Sequence, residues 1–171
     1  AASIVAITKD NLKARLAYST ISQLSYIVLG AALASSIGIL GGGLHIATHA
    51  IGKITLFMCA GAIYVATHKT EISDMTGLGR KMPFTYAAFT IGSLSIIGLP
   101  PFAGTWSKWY LALAAADTQT WMVIGVYMLS SLLNVWYLLS IVAKGFFAPP
   151  SEMSDPSTGT CLLYTSDAAD E

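Results

Sequence analysis

The sequence predicts an all-α integral membrane protein with about four transmembrane helices, the third of them discontinuous. Three observations carry this prediction. Only 11% of the 171 residues are charged, 54% are hydrophobic and the mean hydropathy is +0.64, whereas soluble domains carry about 25% charged residues. Four apolar segments are long enough to cross a bilayer. The third of these segments contains a Gly-Leu-Pro-Pro interruption, which a regular helix does not tolerate.

The first two segments differ in their polar content. The first runs from Leu16 to about Ser36 without a charge, and we predict a glycine-rich turn at the GILGGG that follows it. The second spans Leu44 to Ala66, and within it the sequence HIATHAIGK contributes two histidines and a lysine. Ionisable groups are rare inside membrane helices, so the second segment is a candidate functional element.

The third segment runs from Phe84 to Ala116 and is too long for one straight crossing. As a continuous helix it would measure about 50 Å, against an apolar core of about 30 Å. Prolines lack a backbone donor, so we expect the helix to open at or just before Leu99. An opened backbone within a membrane must be buried in protein or line a wet cavity. The predicted break comprises Leu99, Pro100, Pro101 and Gly104.

The fourth segment, Thr120 to Ala143, completes a predicted membrane domain of residues 1–148. If the four spans alternate, seven basic residues fall on one side and none on the other, which predicts that residues 1–15, the loop 67–83 and the C-terminus are cytoplasmic. No cleavable signal is evident, and the abrupt start suggests a fragment of a longer chain. The seven residues are Lys9, Lys13, Arg15, Lys69, Arg80, Lys81 and Lys144.

Residues 149–171 form a polar tail that cannot span a membrane. Its last eleven residues, 161–171, resemble a peptide produced when library-adapter DNA is translated, so we interpret them as an artefact and exclude them from functional reasoning.

His45, His49 and Lys53 recur at every fourth position and therefore share one face of the second helix. One hypothesis is a proton relay, because histidine titrates near neutrality and burial favours a neutral lysine. An alternative is a polar cluster that only holds helices together, and His45 by itself has a second alternative as an interfacial residue at the helix start. We predict no metal and no cofactor.

Lys108 has two interpretations that the residues leave open. Along an ideal helix it would lie about 36 Å from Phe84, near the far interface, where Trp106 and Trp109 resemble an aromatic belt and a lysine can snorkel. The break shortens that path and would instead leave Lys108 inside a cavity. On the first helix, the stripe of Ser19, Ser22, Gln23 and Tyr26 suggests helix packing or a water-mediated path, and Lys13 and Arg15 before it suggest a cytoplasmic anchor.

The motifs as a set resemble a known family. DNLKARLAYSTISQLSYIVLG, HIATHAIGKITLFMCAGAIYVATHKTEISDMTGLGRKMPFT and IGSLSIIGLPPFAGTWSKWYLAL follow one another in order. They resemble the antiporter-like subunits shared by Mrp-type multisubunit Na⁺/H⁺ antiporters and the proton-pumping arm of respiratory complex I, and the motifs are most similar to those of the Mrp type. The resemblance covers roughly residues 8–145.

The resemblance implies roles for particular residues. It places Lys108 at the family's proton-exchanging position on a discontinuous helix, and His45, His49 and Lys53 on its central polar axis. It also matches Lys13 to a lysine of that axis. The family's module has two inverted five-helix repeats, and this chain resembles the later repeat only, so we do not expect the fragment to transport by itself.

The predicted function is therefore a proton-translocating subunit of a Na⁺/H⁺ antiporter complex in the bacterial inner membrane, a secondary transporter rather than an enzyme. Its expected partners are other membrane subunits, protons and the bilayer, with sodium as a candidate ion and with no nucleic acid. One alternative is a proton-pumping subunit of NADH-quinone oxidoreductase or of a membrane-bound hydrogenase. Another, of a different class, is a scaffold subunit that transports nothing.

Overall fold

The computed structural model describes residues 1–148, and the predicted tail 149–171 lies outside the described residues. The described part is entirely helical, with a 3-10 turn at Ile72–Met75 between two of its helices. Its helices are α1 (Ala2–Thr8), α2 (Leu12–Ala32), α3 (Ser36–Thr67), α4 (Leu78–Lys81), α5 (Pro83–Ile97), α6 (Ala103–Asp117) and α7 (Trp121–Phe147).

The lengths of the helices agree with the predicted all-α membrane fold. Helices α3, with 32 residues, and α7, with 27, are long and apolar enough to cross a membrane. Helix α2 has 21 residues and reaches about 31 Å. Helices α5 and α6 have 15 residues each, or about 22 Å apiece, so only the two together cross the apolar core.

The discontinuity between α5 and α6 lies where the sequence predicts it. Helix α5 ends at Ile97, and Gly98 follows with φ 84°, in the left-handed region that glycine adopts without steric cost. The carbonyl of Leu94 accepts hydrogen bonds from the amides of Gly98 and Leu99, at 3.0 and 3.2 Å. These bonds close the end of α5, and the chain resumes a helix only after Phe102.

The glycine run after the first segment is not a turn, and that prediction is wrong. Helix α3 already begins at Ser36, and Ser35 caps it by accepting a hydrogen bond from the Gly38 amide at 3.0 Å. A Cβ on Gly38 would lie 2.7 Å from the carbonyl oxygen of Gly30. Gly38 and Gly42 therefore allow α2 and α3 to pack closely, and Gly41 allows α3 to pack against α6, as small residues do in membrane bundles.

The predicted basic side of the bundle is one physical end. There the Leu12 amide donates to the Thr70 carbonyl at 2.9 Å, and the Gly77 amide donates to the Lys144 carbonyl at 3.3 Å. These bonds tie the start of α2, the loop after α3 and the end of α7 together. The basic residues of those three segments are therefore neighbours.

The cytoplasmic location of residues 1–15 stays a prediction, and within this range α1 contacts the middle of the bundle, which the sequence did not predict. The hydroxyl of Ser3 lies 2.6 Å from that of Ser22, at the middle of α2, and Ala6 is fully buried. Helix α1 thus packs within the bundle, against α2 and α7. Its seven residues are too few to register in a window of about 19 residues.

The bundle buries polar side chains and exposes apolar ones. Large hydrophobic residues on the outside include Ile51, 71% exposed, and Met122, 85% exposed. Apolar side chains also fill a core near the basic end, including Leu16, Leu56 and Phe89. A lipid-facing bundle has this arrangement, because hydrocarbon solvates its outer apolar residues.

Candidate functional site

A row of polar side chains runs through the interior and is the candidate site. Four helices contribute to it, and each member is less than a tenth exposed. The row consists of Ser19, Gln23 and Tyr26 of α2, His45, His49 and Lys53 of α3, Ser107 and Lys108 of α6, and Asn134 and Tyr137 of α7.

Lys53 lies near the middle of α3, at one end of the row. Its ammonium nitrogen donates to the carbonyl oxygen of Leu16 at 3.0 Å and to the hydroxyl of Ser19 at 2.7 Å. The hydroxyl of Tyr137 lies 2.9 Å from the same Ser19 oxygen. A buried amine needs such partners, since an unpaired charge in a membrane interior costs several kcal/mol.

His45 bridges three helices through both of its ring nitrogens. Nε2 lies 3.1 Å from Oε1 of Gln23 on α2, and Nδ1 lies 3.0 Å from the hydroxyl of Ser107 on α6. The Ser107 hydroxyl also reaches the Gly104 carbonyl at 3.0 Å. Ser107 can therefore donate to a neutral imidazole, or turn to Gly104 and accept from a charged one. The site therefore offers hydrogen-bond partners to both the neutral and the charged imidazole. His45 is 2% exposed, which argues against the alternative that it is an interfacial residue.

His49 stacks on His45, with ring centroids 6.0 Å apart and ring planes 13° from parallel. Its Nε2 is buried and has no hydrogen-bond partner among the described residues, and the same holds for Nε2 of Gln23. Both side chains border a void shared with Ser95 and Gly104 that is too narrow for a water molecule. Of the two histidines, His49 is thus the one whose Nε2 can still form a hydrogen bond.

Lys108 lies inside the protein, at the break. Its amine donates to the carbonyl oxygen of Ile97 at 2.8 Å and stands 5.5 Å from the ring centroid of Tyr26. Lys108 is 8% exposed, whereas Trp106 and Trp109 beside it are 63% and 59% exposed. The aromatic side chains face outwards and the lysine faces inwards, so the interfacial alternative does not hold.

Two features of the backbone bring Lys108 to this position. Side chains on a helix tilt towards its N-terminus, so the lysine in the second turn of α6 points back to the break. A Cβ on Gly98 would lie 2.8 Å from the Lys108 side chain, and one on Gly104 would overlap the Ser95 carbonyl. Glycine at both positions lets α5 and α6 approach each other closely. Gly104 therefore belongs to the start of α6 rather than to the break itself.

The amine of Lys108 also meets a favourable electrostatic field. The last carbonyl groups of a helix have no partner within the helix and carry its partial negative charge. Ile97 is the last residue of α5, so its carbonyl is one of these groups. The break thus supplies both a hydrogen-bond acceptor and a negative potential for a cation.

Sequence reasoning missed the contribution of α7. Asn134 and Tyr137 are both fully buried, and the Tyr137 hydroxyl lies 2.6 Å from Oδ1 of Asn134. Ser130 lies four residues before Asn134 and accepts a hydrogen bond from the Tyr26 hydroxyl at 2.8 Å. The spacing of Ser130, Asn134 and Tyr137 puts them on one helix face, and this polar stripe was a signal available in the sequence.

Lys13 is the one predicted site residue that the structure keeps apart from the row. It is exposed, and its amine stands 4.6 Å from the ring centroid of Tyr64. It lies one turn before Leu16, whose carbonyl binds Lys53. Lys13 therefore lies at the basic end of the bundle, outside the polar row.

Arg15 is more than the surface anchor that the sequence suggested. Its guanidinium is 8% exposed and donates to the Lys9 carbonyl at 2.8 Å, the Ser140 hydroxyl at 3.1 Å and the Ile7 carbonyl at 3.4 Å. These bonds join the linker between α1 and α2 to α7. Arg15 closes the basic end of the bundle.

Within residues 1–148, the polar row contains no carboxylate. Asp10, Glu71 and Asp74 lie at the basic end, and Asp117 ends α6. The same residues contain no group of three or more His, Cys, Asp or Glu side chains that could hold a metal ion. The amines, imidazoles and hydroxyls of the row are groups that can exchange protons.

A family model described as "NADH:quinone oxidoreductase/Mrp antiporter, TM" matches residues 1–134. The chain belongs to this family. It is 40% identical over 144 residues to NADH-quinone oxidoreductase subunit N of Desulforudis audaxviator, a match that covers 84% of this chain and 29% of that protein. It is 34% identical to NADH-quinone oxidoreductase subunit L of Rickettsia bellii, covering 92% of this chain and 26% of that one.

Solved structures of the family have the same fold. The chain superimposes on a chain of the Mrp complex from Dietzia sp. with a TM-score of 0.84 and 30% identity, covering 92% of this chain and 29% of that chain. For respiratory complex I of Thermus thermophilus the TM-score is 0.82 and the identity 25%, covering 97% of this chain and 36% of that chain.

These similarities confirm the predicted family and a multi-pass membrane subunit of the antiporter-like type. The chain spans about a third or less of the relatives it matches. They include subunits of both branches of the family, so assignment to the Mrp branch stays a prediction.

Proposed function

We propose that the chain forms one proton half-path of a subunit in a monovalent cation/proton antiporter complex of a bacterial inner membrane. The observation that carries the proposal is Lys108, a buried amine held at the end of a broken helix and next to a row of buried polar groups. An intramembrane ionisable group at an opened backbone is typical of a transport site.

In this proposal protons enter at the basic end near Lys13 and pass through Lys53, His49 and His45 to Lys108. Each charged member disfavours a charge on the next, so loading one group releases a proton from its neighbour. The two bonding arrangements of Ser107 support the step at His45, since they serve either form of the imidazole. The void beside His49 has to widen before water can join the path.

The absence of a carboxylate from the described part of the row suggests that this segment carries protons and leaves the exchanged cation to another part of the complex. Sodium is bound by oxygen ligands, and carboxylates are the charged ones among protein side chains. The gathering of lysines and arginines at one end supports a cytoplasmic location for that end.

A second candidate is a proton-pumping subunit of a redox-driven complex, which would use the same row. The 40% identity to an NADH-quinone oxidoreductase subunit N favours it. The two functions differ in what drives proton movement. Exchange in vesicles without quinone or reductant supports the antiporter, and proton movement that requires quinone reduction supports the redox-driven pump.

Lys108→Ala in the full-length subunit, assembled in its complex, tests the proposed half-path. We expect loss of proton movement in whichever assay the wild-type complex is active, with the complex assembled in normal amount. Lys144→Ala is the matched control, because it removes a lysine outside the polar row and should retain activity. Wild-type proton movement in Lys108→Ala would contradict the proposal.

A further inference from the structure

A second polar connection runs between Lys53 and Lys108, and it does not use the histidines. From Lys53 it passes to Ser19 at 2.7 Å, to Tyr137 at 2.9 Å and to Asn134 at 2.6 Å. From there the side-chain amide of Asn134 donates to the Tyr26 hydroxyl at 3.4 Å. We name Ser19, Tyr137, Asn134 and Tyr26 the α7 branch.

The α7 branch ends beneath the second lysine. The ring of Tyr26 lies 5.5 Å from the Lys108 amine, within the range of a cation–π interaction. Its hydroxyl is bonded to Asn134 and Ser130, so the ring is held in place. The orientation of Tyr26 therefore bears on the charge of Lys108.

Tyr137 has one hydroxyl proton and two acceptors within reach. It can donate to Ser19 Oγ at 2.9 Å or to Asn134 Oδ1 at 2.6 Å, and not to both at once. Because both acceptors and the tyrosine are fully buried, no bulk solvent competes for that proton. The acceptor that Tyr137 uses depends on whether the Ser19 hydroxyl donates to Tyr137 or accepts from it.

The charge of Lys53 biases the choice. A charged amine can only donate, so Ser19 accepts from it and passes its own proton to Tyr137, whose proton then goes to Asn134. A neutral amine has a lone pair beside its two N–H groups, so it can accept from Ser19. Ser19 then takes the proton of Tyr137, and Asn134 Oδ1 loses its donor. The charged form of Lys53 thus favours the bond between Tyr137 and Asn134, whereas the neutral form allows that bond to be lost.

We propose that Tyr137 and Asn134 are positioning residues that transmit the charge state of Lys53 to Tyr26 and Lys108 along the α7 branch. The proposal rests on the proposed proton path and adds a coupling to it. Protons need not travel along the branch, because an amide is a poor proton carrier. The branch transmits the direction of its hydrogen bonds, and this direction changes the strength of the hydrogen bond from Asn134 to the Tyr26 hydroxyl.

The test is Tyr137→Phe in the full-length subunit, with proton movement by the assembled complex measured as a function of pH. Tyr137→Phe removes the hydroxyl that bonds Ser19 and Asn134 when Lys53 is charged. Because the charged form of Lys53 loses this support, the pH above which activity falls should move to a lower value. A shift of about half a pH unit or more corresponds to one buried hydrogen bond. Asn134→Leu should shift this pH in the same direction.

Tyr86→Phe is the matched control. Tyr86 is as deeply buried as Tyr137, but its hydroxyl has no hydrogen-bond partner among the described residues, and it lies on α5 outside the branch. We expect it to keep the wild-type pH profile. A position on the pH axis does not depend on how much complex assembles, so a partly unstable variant still gives a usable result.

The outcomes separate this inference from the proposed function. If Lys108→Ala is inactive and Tyr137→Phe has the wild-type pH profile, the α7 branch is contradicted and the proton path stands. A shifted profile in Tyr137→Phe and Asn134→Leu, but not in Tyr86→Phe, supports the branch. If Lys108→Ala is active, the proposed path fails and the branch with it.

Discussion

The ammonium group of Lys108 donates a 2.8 Å hydrogen bond to the carbonyl oxygen of Ile97, the residue at which α5 ends. The lysine belongs to the second half of the broken helix and the carbonyl to the first. The break and the buried amine therefore form one structural unit. The carbonyl at the open end of α5 gains a hydrogen-bond donor, and the ammonium group of Lys108 gains an acceptor.

Lys108→Arg should abolish proton movement while preserving the fold. A guanidinium keeps the positive charge and can still bond the Ile97 carbonyl, but it does not release its proton in proteins. Transport assays on the assembled full-length complex, beside a measurement of its thermal midpoint, check both parts. An active Lys108→Arg variant would mean that the site needs a fixed charge rather than a titrating one.

Gly104→Ala should separate α5 from α6. The added methyl group would overlap the carbonyl of Ser95, and overpacking of this kind costs about 1–3 kcal/mol. We expect a lower thermal midpoint and a loss of activity, because the Lys108 amine no longer meets Ile97. Gly61→Ala, where a Cβ has open space in this chain, is the control. Equal behaviour of the two variants would refute the close-packing explanation.

The two histidines should respond differently to replacement by alanine. His45→Ala removes the hydrogen bonds to Gln23 and Ser107. Ser107 keeps its bond to the Gly104 carbonyl, but the buried Oε1 of Gln23 loses its donor, and an unsatisfied buried group costs about 1–3 kcal/mol. His49→Ala breaks no hydrogen bond made by its Nε2. We therefore expect His45→Ala to lower the thermal midpoint more, and both variants to lose activity. The prediction fails if His49→Ala is the less stable of the two.

Arg15→Lys should destabilise the protein despite keeping the charge. A lysine cannot reproduce the three directed bonds to Lys9, Ile7 and Ser140, so we expect a loss of about 1–3 kcal/mol, seen as a lower thermal midpoint. The control is Arg80→Lys, because Arg80 is exposed and its guanidinium donates to the Phe146 carbonyl at the surface. Its change should stay within about 0.5 kcal/mol, and a neutral Arg15→Lys would show that the bonds contribute little.

Lys53→Met distinguishes a relay from a scaffold. Replacing the buried amine with an apolar side chain of similar size removes its desolvation cost, so we expect assembly at or above the wild-type level. In a relay the variant is inactive, and in a scaffold it works normally. Transport measured at matched amounts of assembled complex decides, and an active Lys53→Met would favour the scaffold.

Much of the candidate site was predictable because it follows a helical repeat. His45, His49 and Lys53 share a face at any register of α3, and the structure places all three in the polar row. The glycine run was misjudged because glycine breaks helices in water, whereas here Gly38 and Gly42 admit the neighbouring backbone of α2 and Gly41 admits α6. Helix α1 was missed because it is a short apolar segment.

By itself, the sequence determined the membrane class, the position of the break and the face that carries the ionisable groups. These depend on hydropathy, on the proline geometry and on the 3.6-residue period, all of which are local. Only the tertiary structure decided whether Lys108 faces lipid or the interior, and only it joined Tyr137 and Asn134 to Lys53. Those outcomes depend on how residues far apart in the chain meet, as Lys108 meets Ile97 across the break and Tyr137 meets Ser19 across the bundle.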